Sequence, residues 1–198
     1  MTHLHTQDGT ISLEQLPMSV LTASSLADTL AKNNRFAGRT PEPWSVAAHS
    51  VVVSRLCSDP EEKAWGLLHD AHEAFIGDII TPALEWIGSH TDYRHTIVNA
   101  TKRAKLSLDR QIRAAWQVDR NCGPDEVKLF DWVAYQAELS VFFGIAPERD
   151  THGHIKRAVN LIVELQDEGD WTFYRRLWAE EALHLAQLGL LTLPKTET

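Results

Sequence analysis

The chain has 198 residues, 43% of them hydrophobic, and carries a formal net charge of -8 at pH 7. This length and apolar content predict one globular domain over residues 1–198 with a sizeable core. The acidic balance argues against nucleic-acid polymers or anionic membranes as partners, but not against a small phosphorylated substrate, whose charge a metal ion and one or two basic residues can neutralise locally.

The predicted elements are almost all helical. Residues 1–20 are polar and irregular, and a short strand at residues 10–13 would belong at most to an N-terminal β-hairpin. Periodicity and capping signals then predict helices at about 24–33, 45–57 and 59–76, a short one that begins at residue 82, and further ones at about 91–118, 124–143, 154–166 and 170–189. The sequence therefore predicts an all-α fold with its core at about 24–190 and a disordered C-terminal tail.

The predicted helix 59–76 carries the most informative pair of residues, His69 and Asp70. Asp59 is its predicted N-cap, Pro60 occupies its first position, and Gly77 ends it. Neighbouring residues of a helix point about 100° apart. A His and an Asp side by side therefore rarely share a task, unless a metal ion lies above the helix and binds both.

Two further residues of the right type lie on other predicted helices. His49 and Asp131 each fall on an apolar stripe with steps of three to four residues, as His69 does. A single inward His is usually a hydrogen-bonded core residue, but three such stripes together with Asp70 favour a metal site. We predict a divalent cation bound by His49, His69, Asp70 and Asp131, which leaves Mn, Co, Fe, Ni, Zn and Mg open.

Three more polar residues follow the His-Asp pair. Glu73 lies one turn further on and is either a hydrogen-bond partner of the ligands or a general acid or base. Asp78 is either a turn residue or a group that orients the attacking water. His72 points about 100° away from Glu73 on a helix, and we expect it at the rim or on the surface.

These motifs resemble the HD-domain superfamily of metal-dependent phosphohydrolases over about residues 24–140. An HD dipeptide alone is common, but HD followed by Glu and Gly-Asp, with an upstream Ser-Val-x-x-His, is specific. The similar branch contains 5'-deoxynucleotidases and compact phage-type relatives such as dATP triphosphohydrolases. The resemblance is carried by residues 34–40 (Asn-Arg-Phe-Ala-Gly-Arg-Thr), 44–50 (Trp-Ser-Val-Ala-Ala-His-Ser) and 69–79 (His-Asp-Ala-His-Glu-Ala-Phe-Ile-Gly-Asp-Ile).

The resemblance implies an HD-domain helical bundle in which the four predicted ligands bind the metal. It implies that Glu73 is the catalytic carboxylate and that Asp78 helps to place the water. It also implies that Arg35 contacts the substrate phosphate, for which a guanidinium fork is suited. Phe36 would pack on a base or sugar, or equally in the core. Homo-oligomers, dimers or larger, are usual for the family.

The chain departs from its compact relatives in one segment. Many of them have a lysine after Gly-Asp, where this chain has Glu85. Lys128, one turn before Asp131, could contact the substrate anion in its place, or else be a solvated surface lysine. We expect a 5'-nucleotidase that releases phosphate from deoxynucleoside monophosphates, because basic residues are not densely clustered. The segment 34–40 favours a dNTP triphosphohydrolase instead.

Functions of two further kinds are compatible with these motifs. One is a non-catalytic nucleotide-sensing module with the same fold. The second is a different HD reaction, such as guanosine tetraphosphate hydrolysis or an oxygenase reaction, although an oxygenase needs a second metal and residues 69–78 offer no extra His beyond His72. Because we find no leader, no apolar run of about 18 residues and no CxxC spacing, we expect a cytoplasmic protein with reduced cysteines.

Overall fold

The computed structural model describes residues 3–6, 9–118, 124–148, 153–167 and 169–195. Of the predicted disordered tail, residues 196–198 lie outside this part. The all-α prediction is confirmed, with one short hairpin in which β1 (His3–Thr6) pairs antiparallel with β2 (Gly9–Ser12). The helices are α1 (Ala23–Lys32), α2 (Val46–Leu56), α3 (Pro60–Leu68), α4 (Glu73–Ile76), α5 (Thr81–Ser89), α6 (Arg94–Trp116), α7 (Pro124–Phe143), α8 (His154–Gln166) and α9 (Trp171–Gln187).

Capping residues set the start of the two helices that lead to the site. The Ser45 hydroxyl accepts a hydrogen bond from a backbone amide in the first turn of α2, and the Asp59 carboxylate does the same for α3. Each satisfies an amide that has no partner inside the helix. Gly77 ends α4 with a φ of 76°, a conformation that favours glycine. These boundaries agree with the prediction.

The predicted helix 59–76 is not continuous, so the prediction was wrong on this point. α3 ends at Leu68, α4 begins at Glu73, and tight turns connect them. The amide of Glu73 donates to the carbonyl of Asp70 at 2.9 Å, three residues back rather than four. Turns of this kind have about three residues each. The tightening therefore brings the side chains of residues 70 and 73 onto one face.

The core is built around α2, in which every residue except Arg55 is buried. This helix packs against α1, α3, α7, α8 and α9. α3 comes especially close at Gly66, where a Cβ atom would lie only 3.1 Å from the Cα of Ser54. Because Gly66 permits this approach, the end of α3 meets the middle of α2.

Among the described residues, none of the helices combines the length and the apolar composition that a membrane span requires.

Candidate metal centre

The four predicted ligands come together at the meeting point of α2, α3 and α7. We call His49, His69, Asp70 and Asp131 the His/Asp cluster, because one nitrogen or oxygen atom from each lies within 4.8 Å of the others. His49 Nε2 lies 3.0 Å from Asp131 Oδ1, and His69 Nε2 lies 3.2 Å from Asp70 Oδ2. The four residues are thus grouped as predicted, and the cluster could hold a metal ion.

The hydrogen bonds of the two histidines leave one ring nitrogen of each available to a cation. His69 Nδ1 lies 2.7 Å from the carbonyl oxygen of Gly66 and must donate to it, since a carbonyl only accepts. His49 Nδ1 lies 2.7 Å from the carboxylate of Glu138. The Nε2 atoms therefore face the cluster with their lone pairs when the rings are neutral. Histidines that bind metals usually have this arrangement.

The charges of the cluster also fit a cation. Burial disfavours the charged form of His69, but the carboxylates of Asp70 and Asp131 outweigh this effect and raise its pKa well above the usual value. Burial likewise opposes ionisation of Asp131, yet hydrogen bonds from His49 and His69 lower its pKa. A positive charge between Asp70 and Asp131 therefore stabilises both carboxylates. A proton on a histidine or a divalent cation can supply it, and the two compete.

The cluster is accessible from one side. The side chain of Asp131 is 42% exposed, whereas that of His49 is completely buried. Asp70 and His69 are 15% and 9% exposed. A substrate that reached the cluster would therefore approach along the Asp131 side.

Glu138 is a residue of the site that sequence reasoning missed. It is fully buried on α7, two turns after Asp131, and its Oε1 accepts from Trp44 Nε1 at 2.7 Å as well as from His49. Its Oε2 accepts from Arg35 Nε at 3.1 Å. A buried carboxylate is costly unless its oxygens are paired, and here both are. The seven-residue spacing from Asp131, which keeps one helix face, is the signal that could have identified it.

Arg35 lies next to the cluster, where the resemblance places a phosphate contact. Its Nη2 atom is 3.0 Å from Glu138 Oε2, and its Nη1 atom is 3.7 Å from Asp70 Oδ2. Burial disfavours the charged guanidinium, but Glu138 and Asp70 outweigh this effect and raise the pKa of Arg35 above its usual value. The guanidinium is therefore a fixed positive charge at the cluster.

Phe36 follows Arg35 in the chain and belongs to an aromatic group with Tyr135 and Phe143. Its ring is nearly parallel to that of Tyr135 at a centroid distance of 6.0 Å and lies edge-on to Phe143 at 5.1 Å. Phe36 and Ala37 have φ values of 55° and 53°, in the left-handed region. Non-glycine residues there cost roughly 1–3 kcal/mol each and are concentrated at functional sites. Packing of Phe36 is thus established, and its contact with substrate stays a prediction.

Glu73 is 4% exposed and points into the same region. Its Oε1 accepts a hydrogen bond from Lys105 Nζ at 3.2 Å, while its Oε2 has no partner among the described residues. Burial and then the negative charge of Asp70 raise the pKa of Glu73 to about 8, although Lys105 acts in the opposite direction. The side chain can thus hold a proton at neutral pH, as a general acid must. Lys105, on α6, was missed because no spacing connects it to the motif.

Asp78 and Lys128 are the two remaining predicted site residues. Asp78 is partly buried, which raises its pKa, while Arg35 lowers it in part. The side chain of Asn33 fixes this segment, since it donates to the carbonyl of Glu73 at 3.3 Å and lies 3.5 Å from the amide of Asp78. Lys128 is exposed on α7. The roles of Asp78 and Lys128 in catalysis and binding remain predictions.

The position expected for His72 was wrong. It is 4% exposed rather than at the rim, and its Nδ1 lies 2.9 Å from Asp109 Oδ1 on α6. The tight turns after Leu68 give residue 72 a different direction from the one that a continuous helix would give. Its Nε2 is buried without a hydrogen-bond partner in the described part of the chain.

No family model matches the chain, and no curated protein shows significant sequence similarity to it. The resemblance to the HD-domain superfamily therefore depends on the motif residues and on the cluster they form. Membership of that superfamily stays a prediction.

Proposed function

We propose that this protein is a metal-dependent phosphohydrolase that releases phosphate from deoxynucleoside monophosphates. The observation that supports this most strongly is the position of Arg35, 3.7 Å from a carboxylate of the His/Asp cluster. A cation site and a fixed guanidinium side by side suit a phosphate monoester, since both can neutralise its charge. Two histidines whose Nε2 atoms face two carboxylates are a ligand set that suits a divalent cation.

Each side chain then has a part in the reaction. A divalent cation bound by the cluster would lower the pKa of water and polarise the phosphoryl group. Arg35, held by Glu138, donates hydrogen bonds to the phosphate oxygens. Asp78 accepts a proton from the water that attacks phosphorus. Glu73 gives its proton to the 5'-oxygen of the leaving nucleoside as the bond from phosphorus to that oxygen breaks.

A triphosphate substrate is the second candidate. Arg35 and Lys105 place two positive charges beside the cluster, 3.7 Å from Asp70 and 3.2 Å from Glu73. Two such charges suit the smaller charge of a monophosphate. Lys105 is 28% exposed, however, and it lies on the side of Glu73. A longer phosphate chain that reached it would meet a positive charge there. A nucleotide sensor has no need for a buried carboxyl group with a raised pKa beside the cluster.

A product assay tests the proposal. The protein is stripped with a chelator, supplied with Mn, Co, Mg or Zn, and offered deoxynucleoside mono-, di- and triphosphates. We expect nucleoside and orthophosphate from monophosphates, and no product from Asp131→Ala. Asp28→Ala, which removes a partly exposed carboxylate paired with Lys32 and Arg175, serves as the control and keeps activity.

The triphosphohydrolase and the sensor would each give a different result in this assay. Nucleoside together with intact triphosphate would identify a dNTP triphosphohydrolase. Tight nucleotide binding without turnover under any of the four metals would overturn the enzyme proposal in favour of the sensor.

A further inference from the structure

Tyr135 lies on the face of α7 that carries residues of the site. It follows Asp131 by four residues and precedes Glu138 by three, the spacings at which side chains of a helix lie one above another. Asp131 belongs to the His/Asp cluster, and Glu138 accepts a hydrogen bond from Arg35. The side chain of Tyr135 therefore leaves α7 at a level between the candidate metal site and the guanidinium. Sequence reasoning did not select this residue.

Phe36 connects the ring of Tyr135 to the expected phosphate contact. It directly follows Arg35, and the guanidinium carbon of Arg35 lies 5.7 Å from the centre of the Phe36 ring. The Phe36 ring is in turn nearly parallel to that of Tyr135, with 16° between the ring planes and 6.0 Å between the centroids. An aromatic surface thus begins beside the guanidinium and extends to Tyr135.

The two rings differ in what they offer to a ligand. Phe36 is half-buried and packs against two other rings, those of Tyr135 and Phe143. Tyr135 is 40% exposed, and the side chain of Asp131 one turn before it is 42% exposed. Tyr135 therefore presents an accessible ring on the side from which a substrate would approach the cluster. Phe36 supports this ring from behind.

The backbone at Phe36 also indicates a role beyond core packing. Its φ and ψ angles are 55° and 28°, in the left-handed region that residues other than glycine rarely adopt. Folded proteins tend to retain such strain where a site requires it. An aromatic group that served only the core would be buried, whereas Tyr135 and Phe143 are each 40% exposed.

We propose that the ring of Tyr135 stacks on the base of the substrate, so that the site selects nucleotides over other phosphate monoesters such as sugar phosphates. Every base has a π face, so an aromatic side chain can bind bases without reading their hydrogen-bonding groups. The inference rests on the proposed function in one respect, since the phosphate bound at Arg35 and the cation determines where the base lies. Only a deoxyribose separates that phosphate from the base, which can therefore reach a ring beside both groups.

Two substrates that differ only in the base test this assignment. Deoxyadenosine 5'-monophosphate and 2-deoxyribose 5-phosphate have the same sugar and phosphate. Tyr135→Leu should raise KM for the nucleotide about tenfold or more and leave KM for the sugar phosphate unchanged. Its kcat should stay near the wild-type value, because the ring does not touch the reacting atoms. Tyr135→Phe keeps the ring, and Trp171→Leu removes an equally exposed aromatic residue of α9; neither should change either KM.

Equilibrium binding separates this inference from the proposed function. Calorimetry measures both compounds on the Mn²⁺-loaded Glu73→Gln protein, in which turnover should be slow, with and without Tyr135→Leu. A loss of affinity for the nucleotide alone supports stacking, even if the wild type hydrolyses neither compound, which would overturn only the proposed function. Equal effects of Tyr135→Leu on the two compounds, with turnover of the nucleotide by the wild type, would overturn stacking alone. No nucleotide binding without Tyr135→Leu would overturn both.

Two further measurements address folding and association. Circular dichroism shows whether Tyr135→Leu folds. Tyr135→Gln, which also lacks a ring and suits an exposed position of a helix, provides the answer if Tyr135→Leu does not fold. Sedimentation velocity shows whether the ring lies between two copies of the chain. A change from dimer to monomer in Tyr135→Leu, with equal effects on both compounds, would identify an interface and overturn the stacking role.

Discussion

The carboxylate of Glu138 lies 2.7 Å from Nδ1 of His49 and, through its other oxygen, 3.1 Å from Nε of Arg35. One buried side chain thus orients a ligand of the His/Asp cluster and the guanidinium beside it. Glu138 is 89 residues from His49 and 103 residues from Arg35 in the sequence, so the contact that fixes both groups comes from a distant helix, α7.

Replacement of Glu138 should therefore damage metal binding and folding together. In Glu138→Gln the amide oxygen cannot accept from all three donors, and Arg35 loses the nearer of its two carboxylate contacts. We expect metal affinity to fall about 10–100-fold and the free energy of unfolding to fall by about 3–5 kcal/mol. Calorimetry and urea unfolding measure the two effects. Glu181→Gln, which breaks a more exposed pair with Arg55, should cost about 1 kcal/mol or less; an equal loss would contradict the prediction.

Mutations should separate metal binding, which needs the predicted ligands, from proton donation by Glu73. His69→Ala or Asp70→Ala removes a ligand from the His/Asp cluster, so we expect tight metal binding and turnover to disappear together. Glu73→Gln leaves all four ligands in place and should keep the tight metal site. It should lower kcat about 10²–10⁴-fold, because the proton donor is lost. Metal analysis and product assays provide the comparison, and turnover near the wild-type rate in Glu73→Gln would exclude the general-acid role.

The protonation of Glu73 should appear in the pH dependence of stability. Burial raises its pKa from 4.5 to about 8 in the folded chain. The folded state therefore binds more protons than the unfolded state between these values, and this contribution to stability is lost as the pH rises through that window. The slope has an upper limit of about 1.4 kcal/mol per pH unit.

Urea unfolding of the chelated protein from pH 5 to pH 8 checks this expectation. Glu73→Gln cannot ionise, so its stability relative to wild type should increase as the pH rises. A difference between the two proteins that does not change with pH would show that Glu73 ionises normally in the folded state.

The backbone beside Arg35 should be strained. Ala37 is exposed and has a φ of 53°, which costs an alanine about 1–2 kcal/mol but a glycine almost nothing. Ala37→Gly should therefore leave the free energy of unfolding unchanged or raise it by up to about 1 kcal/mol. Ala104→Gly, at an exposed position within α6, should lower it by about 1 kcal/mol. Equal losses in both variants would rule out strain at Ala37.

The residues of the His/Asp cluster could be predicted from sequence because helical periodicity is a local signal. His49 and Asp131 each interrupt an apolar stripe, and a polar residue on an inward face needs an explanation whatever the tertiary structure. The all-α fold followed from the same periodicity and from caps such as Ser45 and Asp59. The four residues of the cluster could therefore be predicted without knowing how the helices pack.

The contacts between helices could not be predicted in this way. Lys105 reaches Glu73 from a helix whose charged residues look solvated in sequence. No glycine or proline in residues 69–72 indicates that α3 ends at Leu68. His72 was therefore expected at the rim or on the surface, whereas it is buried. Its pairing with Asp109 depends on where α6 passes, which no local pattern specifies. Tertiary packing decided each of these positions.

Lys105 should affect how tightly the protein binds a nucleoside triphosphate compared with a monophosphate. It is 28% exposed and paired with Glu73 at 3.2 Å, so it can act on the proton donor, on the substrate, or on both. If it contacts substrate, Lys105→Ala should raise KM for a deoxynucleoside triphosphate about tenfold more than for the monophosphate. Lys102→Ala, at an exposed position one turn earlier, is the control and should change neither. Equal losses of kcat for both substrates, with KM unchanged, would mean that Lys105 acts through Glu73 alone.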